Sequence, residues 1–482
     1  MQLIAWPKSN DETRQSGLTV CLSGGGFRSF SCAIGQFRGL YALGRIDDVG
    51  LISAVSGGAW FASVHSFASP KAGIQSFLGE SIPVDKLTME CLDRISPDFI
   101  GEPITRLSAI PRAASLMMEG MPTGKVLAEA LHQEILAPLG LARTLAMANS
   151  SRQYEDLVRR NPELIDKIAV PHAGRPRFVA TASLGFGKGD DSHFYPVEIE
   201  PGRAVLTQDA NQVGAVESLA LASDLGPDRP GLFDAEIQEI GFGLAELWAA
   251  TGGAPAGFLV ALARALDRGV WDMVPHLGNW LGKDAYLVDG GYVENTGVLT
   301  ALRRGARKLV VFVNQRSKFG SVSPLHVDGI EGQVAHLFGK YPPFGMYSNS
   351  RVHLFPEEEF EDLKLDFQIA VTLGELPWSL SEHTIREENG FGIAAHKVKI
   401  LWVLNEIPEK WASELPTETS MVMRAFDKLG GAPHTSVIYG DGGQMFRMSA
   451  AQVQFTAHMH EHAIRARKNE VEELLAWEPR PS

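Results

Sequence analysis

A chain of 482 residues with 45% apolar and 21% charged residues has the composition of a globular protein with a large core, and its length admits several domains or one elaborated domain. The 44 Lys and Arg against 57 Asp and Glu leave a net charge of -13, which argues against nucleic acid as a partner and against purely electrostatic attachment to anionic lipid. Three cysteines, Cys21, Cys32 and Cys91, are too few and odd in number for a disulfide framework and point to a reducing compartment.

Met1 to Gly17 carries Lys8, Asp11, Glu12 and Arg14 and has no apolar core of a signal peptide, so export is not expected. The first predicted strand is the apolar run Leu18 to Leu22, closed by Ser23-Gly24-Gly25-Gly26. Phe30, Ala33, Ile34, Phe37, Leu40 and Tyr41 then recur at helical spacing up to Gly44, the expected C-terminal cap. Consecutive glycines at a helix N-terminus leave amide N–H groups able to hold an oxyanion or a phosphate. Arg28 opens this helix, where the helix dipole disfavours a cation, and that position suggests a nearby anion or a carbonyl clamp that shapes the loop.

A second apolar run, Leu51 to Val55, stops at Ser56-Gly57-Gly58, and helical periodicity resumes through Trp60, Phe61 and Val64. A serine between a strand and a helix, flanked by very small residues, has the form of a nucleophile elbow, although Ala54 stands where the usual G-x-S-x-G has its first glycine.

From about 70 to 165 the pattern is helical and broken by Pro83, Pro97, Pro103, Pro111, Pro122 and Pro138. Within it Leu107, Ile110, Leu116, Met117, Met118 and Met121 make a Met-rich candidate cap over the site. Strand character returns at Arg177 to Ser183 and again at Ser192 to Glu198, with Asp190 and Asp191 read as a solvated turn, not a metal site. A second helical insertion is expected at about 215–280. Its uncharged stretch, Leu247 to Ala263, is broken by Thr251 to Pro255 and reads as two short helices, not a membrane span.

Ala285 to Val288 forms a short predicted strand ending in Asp289-Gly290-Gly291. With a helix over Gly297 to Gly305 and a buried strand over Leu309 to Val313 it reads as a β-α-β unit. Asp289 thus falls at the carboxyl end of a strand, where open α/β sheets keep their sites. Phe367 to Val371 and Val398 to Leu404 read as further strands, and Val453 to Leu475 as a terminal amphipathic helix. His458, His460 and His462 look metal-like, but Met459 stands where a zinc-protease helix has glutamate, so they are read as part of a solvated helix. A second Asp-Gly-Gly, Asp441 to Gly443, lacks a following helix-strand unit and reads as a hairpin turn. A dinucleotide loop lacks its last glycine, and that reading gives Ser56 and Asp289 no task.

At Ser23-Gly24-Gly25-Gly26-Phe27-Arg28, at Ser56-Gly57-Gly58-Ala59-Trp60 and at Leu287-Val288-Asp289-Gly290-Gly291 with Asn295, the chain resembles the catalytic domain of cytosolic group IV phospholipase A2 and fungal phospholipase B, relatives of the patatin-like lipases. The resemblance implies an α/β fold, a three-layer sheet with helices on both faces, and one domain over 1–482 that carries the two helical insertions. It implies Ser56 as nucleophile, Asp289 as its partner in a Ser-Asp dyad, Gly25 and Gly26 as oxyanion-hole amides, and Arg28 facing a substrate phosphate. The expected activity is that of a lipid acyl-hydrolase of the phospholipase A or lysophospholipase type, in the cytoplasm with peripheral contact to membranes. Such chemistry needs no metal or organic cofactor. A general carboxylesterase, an acyltransferase on the same site and a non-catalytic lipid- or protein-binding scaffold remain as alternatives.

Overall fold

The structure, a computed structural model, describes residues 17–107, 109–160, 162–186, 193–201, 203–209, 212–217, 242–252, 285–345, 347, 350–429, 431–434 and 448–479. Among the described residues ten strands make the main sheet: β1 (Leu18–Leu22), β2 (Val49–Val55), β3 (Arg177–Phe186), β4 (His193–Glu200), β5 (Arg203–Asp209), β6 (Gln212–Glu217), β7 (Ala285–Asp289), β8 (Lys308–Val313), β9 (Trp378–Thr384) and β10 (Lys397–Leu404). Their order is β9-β10-β8-β1-β2-β3-β4-β5-β6, with β7 also paired to β3. The run from β10 through β8, β1 and β2 to β3 is parallel, and β9 and β4 to β6 add antiparallel margins.

A parallel sheet needs cover on both faces, which is why its strands read as mostly apolar runs. In β1, Val20 and Leu22 join one core while Cys21 joins another. Likewise Val310 and Phe312 of β8 face the first core, and Leu309, Val311 and Val313 face the second. The first core is covered by α1 (Gly26–Ala42), α2 (Gly57–Phe67), α3 (Leu244–Gly252) and, later in the chain, α6 (Ala450–Arg465). The second is covered by α4 (Val298–Arg303) and α5 (Glu358–Thr372). The result is a mixed α/β architecture, a central sheet flanked by helices. Phe30, Phe37 and Phe61, all fully buried, interlock α1 with α2, and each such side chain contributes roughly 1.5–3 kcal/mol by leaving water.

Helix α6 lies against α1 at very close range. A Cβ on Gly35 would sit 1.9 Å from the Ala457 carbonyl oxygen, and one on Gly39 would sit 2.7 Å from Ile464 Cβ. Two glycines one turn apart thus let the helix backbones meet, and His458 and His460 are carried into the interior at 4% and 0% exposure. The expected solvated terminal helix is therefore a buried one, and it ends at Arg465, with a separate helix over Lys468–Ala476.

Three other expectations change. Phe367 to Val371 lies in α5, where Phe360, Leu363, Phe367 and Ala370 form the buried stripe. The segment from Ala285 to Val313 is not a parallel β-α-β unit, because β7 runs antiparallel to β3 while β8 pairs with β1 and β10. The second insertion begins in a strand, since β6 extends to Glu217, and among the described residues it is helical at α3. Between 70 and 165 the described residues form helical segments at Gly73–Leu78, Met89–Asp93, Ala109–Met118, Thr123–Leu131 and Ser151–Arg160, with a short strand at Ala146–Met147. Within its Met-rich stretch Leu116 is buried, Met117 is packed against the core and Met118 is 83% exposed. Asp190, Asp191, Asp441 to Gly443 and the stretch beyond Gly252 up to Asp284 lie outside the described residues. Among the described residues no helix is long and apolar enough to cross a membrane.

Candidate active site

The elbow is built by strain placed on one residue. Between the end of β2 at Val55 and the start of α2 at Gly57, Ser56 takes φ 49° and ψ -124°. A positive φ on a residue with a side chain is unfavourable and persists where its surroundings enforce it. The enforcement comes from contact: a Cβ on Gly57 would lie 1.9 Å from the Gly26 carbonyl oxygen, and one on Gly58 would lie 2.6 Å from that of Leu22. Ala54 causes no conflict, since it stays in the strand opposite Leu22 and Ala180 with negative φ.

Ser56 and Asp289 meet because two strands run toward each other along one edge of β3. The first half of β3 pairs in parallel with β2, ending at Val55 opposite Thr181. Its second half pairs antiparallel with β7, which arrives from the other direction and ends at Asp289 opposite Ala182. The carboxyl ends of β2 and β7 therefore face each other across a single residue step. The Asp289 carboxylate accepts a hydrogen bond from the Gly291 N–H at 2.8 Å, and the Ser56 hydroxyl lies close enough to favour its ionised form. Burial raises its pKa from 3.8 to about 6, against the lowering effect of the Gly291 N–H and the Ser56 hydroxyl. A carboxylate with that pKa is ionised at neutral pH and well suited to accept a proton.

The glycine loop lies on the same rim. Gly25 takes φ 143° and Gly26 φ 58°, and their N–H groups are at the start of α1, where no preceding turn can accept them. A Cβ on Gly24 would fall 3.0 Å from Ser56 Cβ and 2.1 Å from Asn295 Oδ1, which puts loop, serine and Asn295 in one cluster. The Gly24 N–H donates to the Asn295 carbonyl at 2.9 Å, and Asn295 Nδ2 donates to Gln333 Oε1 at 2.8 Å. Arg28 is 7% exposed and folds back under the loop: its Nε donates to the Asn314 carbonyl at 3.0 Å, and a Cβ on Gly25 would be 2.6 Å from a terminal guanidinium nitrogen. All five expected site residues, Ser56, Asp289, Gly25, Gly26 and Arg28, thus lie in one neighbourhood.

Gln333 and Asn314 were not singled out by sequence reading. Asn314 had one signal, a polar residue directly after the buried strand β8, in the position that Ser23 holds after β1. Beside the elbow an aromatic wall joins α1, α2 and α3. Trp60 stacks on Trp248 with centroids 5.0 Å apart and an interplanar angle of 8°, and Phe27 is 5.0 Å from Trp60. Trp248 is fully buried, its indole N–H donating to Ser63 Oγ at 2.8 Å, so it belongs to the core and not to an open acyl groove.

Neither the family models nor the curated protein sequences give a significant match to this chain. Among solved structures, human GIVD cytosolic phospholipase A2 has a similar fold, with a TM-score of 0.51 at 14% identity over 98% of this chain. The same human protein in complex with methyl gamma-linolenyl fluorophosphonate gives a TM-score of 0.47 at 13% identity, also over 98% of this chain. The chain spans 63% of the length of the first of these and 60% of the second. The likeness is one of fold.

Proposed function

We propose that this protein is a serine acyl-hydrolase acting on lipid esters, of the phospholipase A or lysophospholipase type. The observation that carries the reading is the convergence of Ser56, held at positive φ, and the buried Asp289 carboxylate where the carboxyl ends of β2 and β7 meet. In the proposed reaction Ser56 Oγ attacks the ester carbonyl carbon as its proton passes to Asp289. The tetrahedral oxyanion is held by the N–H groups of Gly25 and Gly26 at the start of α1, whose dipole favours negative charge. Collapse breaks the ester C–O bond, and the departing alcohol takes the proton from Asp289. Water then gives a proton to Asp289 as it attacks the acyl carbon, Asp289 returns that proton to Ser56 Oγ as the acyl–serine bond breaks, and the carboxylic acid released loses its proton to solvent. No metal or organic cofactor enters these steps.

The fold shared with a cytosolic phospholipase A2 supports a lipid ester over a peptide or small ester, and Arg28 is proposed as the cation near the substrate phosphate. A carboxylesterase or acyltransferase would use the same acyl-enzyme and differ in the alcohol or acceptor. The deciding experiment is intact-mass analysis after treatment with an alkyl fluorophosphonate. One adduct per chain is expected, mapped to Ser56 and absent from Ser56→Ala. A folded wild-type protein that takes no label would turn the reading toward a binding scaffold.

A further inference from the structure

Asn314 is the floor of the glycine loop and makes four hydrogen bonds there. Its N–H donates to Ser23 Oγ at 2.7 Å, its carbonyl accepts from Arg28 Nε at 3.0 Å, its Nδ2 donates to Ser29 Oγ at 2.9 Å, and its Oδ1 accepts from Gln36 Nε2 at 2.7 Å. These partners flank Gly24 to Gly26 on both sides. Behind Asn314 the chain of bonds continues through residues that are 0% exposed: Gln36 Nε2 reaches His460 Nδ1 at 3.3 Å, and His460 Nε2 reaches Asn405 Oδ1 at 3.0 Å. Asn405 then donates through Nδ2 to the Gln315 carbonyl at 2.9 Å and through its backbone N–H to the Val313 carbonyl at 2.9 Å. The path closes on the two residues that flank Asn314.

Every orientation in this ring follows from its neighbour. Ser29 Oγ donates its proton to the Ser23 carbonyl at 2.5 Å, so it accepts from Asn314, which fixes that amide with Oδ1 toward Gln36. Gln36 must then present its NH2, one hydrogen to Asn314 and one to His460 Nδ1. Burial holds His460 neutral, with its pKa down at about 3, so it has one acceptor and one donor to offer, and the donor goes to Asn405. A buried ring in which each donor has a specified acceptor is rigid, and one missing member leaves its neighbours unpaired in a dry interior.

We propose that the ring Asn314-Gln36-His460-Asn405 is a positioning device for the glycine loop: Asn314 sets the Gly25 and Gly26 amides, and Gln36 and His460 act through it. The inference rests on the hydrolase reading above for its effect on turnover, but not for its effect on the loop. His460→Asn, whose amide is too short to span Gln36 and Asn405, is expected to lower kcat by about 10-fold with KM within about 2-fold, because a misplaced oxyanion hole weakens the transition state and not the bound ester. His460→Gln, which offers an acceptor and a donor farther out, should recover most of the rate. Ser29→Ala, a small deletion on the other side of Asn314, should lower kcat by about 5-fold in the same KM-neutral way. Hydrogen exchange of the amides from Gly24 to Arg28 should quicken in His460→Asn and Ser29→Ala and return toward wild type in His460→Gln. Wild-type kcat and wild-type loop exchange in the folded variants overturn the proposal, with Ser29→Ala deciding it if His460→Asn does not fold. Failure of the wild-type protein to take a fluorophosphonate at Ser56 overturns the hydrolase reading instead, and loop exchange then decides the inference.

Discussion

At the scale of the residue, the proposed role of Asp289 as a base couples activity and stability in opposite directions. Its folded pKa of about 6 lies above the ordinary 3.8, so the folded chain binds more protons than the unfolded chain between those values. The stabilisation from the neutral carboxyl is therefore present below pH 3.8 and lost as pH rises through 6, while the ionised form that can act as base appears over the same interval. The shift amounts to about 3 kcal/mol. A pH–rate profile of kcat/KM should rise along an acid limb centred near 6. Asp289→Asn should abolish turnover and yet unfold at higher urea at pH 7, since an isosteric amide removes the buried charge. A variant that is inactive and no more stable would mean that the burial cost is met by groups beyond Ser56 and Gly291. Arg28 is judged at the same scale by its effect on two substrates of equal chain length. Arg28→Ala should lose turnover on a phospholipid and keep most of it on an uncharged ester, because only the former brings a phosphate for charge-assisted hydrogen bonds. Equal loss on both would assign Arg28 to shaping the loop through Asn314 alone. The placement of Ser56, Asp289 and the glycines at strand ends was legible because strand-glycine junctions leave a local signature. Asn314 and Gln333 were not, since a buried asparagine or glutamine differs from a solvated one only in what the tertiary fold puts beside it.

At the scale of the element, the α1–α6 crossing holds the rear of the site. Gly35→Ala would drive a methyl into the Ala457 carbonyl, a backbone atom that no side-chain rotation can move aside. A loss of about 3 kcal/mol or more is expected in urea unfolding. Gly44→Ala is the control: its φ is 66° with nothing within 4 Å of the added methyl, so about 1–2 kcal/mol of left-handed strain is its whole cost. Equal losses for the two would show that the helices separate readily. The same crossing explains why the terminal helix was misjudged from sequence, where histidines and alternating charges suggest a wet face. Helix packing against glycines buries those histidines in hydrogen bonds that composition does not reveal. The strands β1, β2, β8 and β10 were legible, being covered on both faces and hence apolar along most of their length, with Lys397 and Lys399 of β10 near its start. The direction of β7 was not, because a four-residue apolar run has the same appearance in a parallel or an antiparallel partner, and its antiparallel course is what turns Asp289 toward Ser56. In α5 the run Phe367 to Val371 imitates a strand since Ile369 and Val371 are apolar but exposed, while the stripe that decides the helix begins earlier at Phe360.

At the scale of the whole molecule, the proposed hydrolase reading makes a net charge of -13 decisive for how the protein would meet a lipid substrate. A lipid hydrolase must approach an aggregate, and a chain of this charge is repelled by an anionic surface at long range. The repulsion reaches about 30 Å at 0.01 M salt and about 8 Å at 0.15 M. Raising the salt between those values should therefore increase turnover on vesicles that contain anionic phospholipid, by shortening the range over which the protein is held off. On zwitterionic vesicles of equal chain length the same change should leave turnover nearly unchanged, since apolar contact at the surface depends little on ionic strength in this range. The measurement is initial rate against salt for the two vesicle compositions, with the fluorophosphonate labelling rate of Ser56 in solution as the control for salt effects on the site itself. A rate on anionic vesicles that falls with salt, with labelling constant, would show that a local cationic surface overrides the overall charge and draws the protein to the membrane.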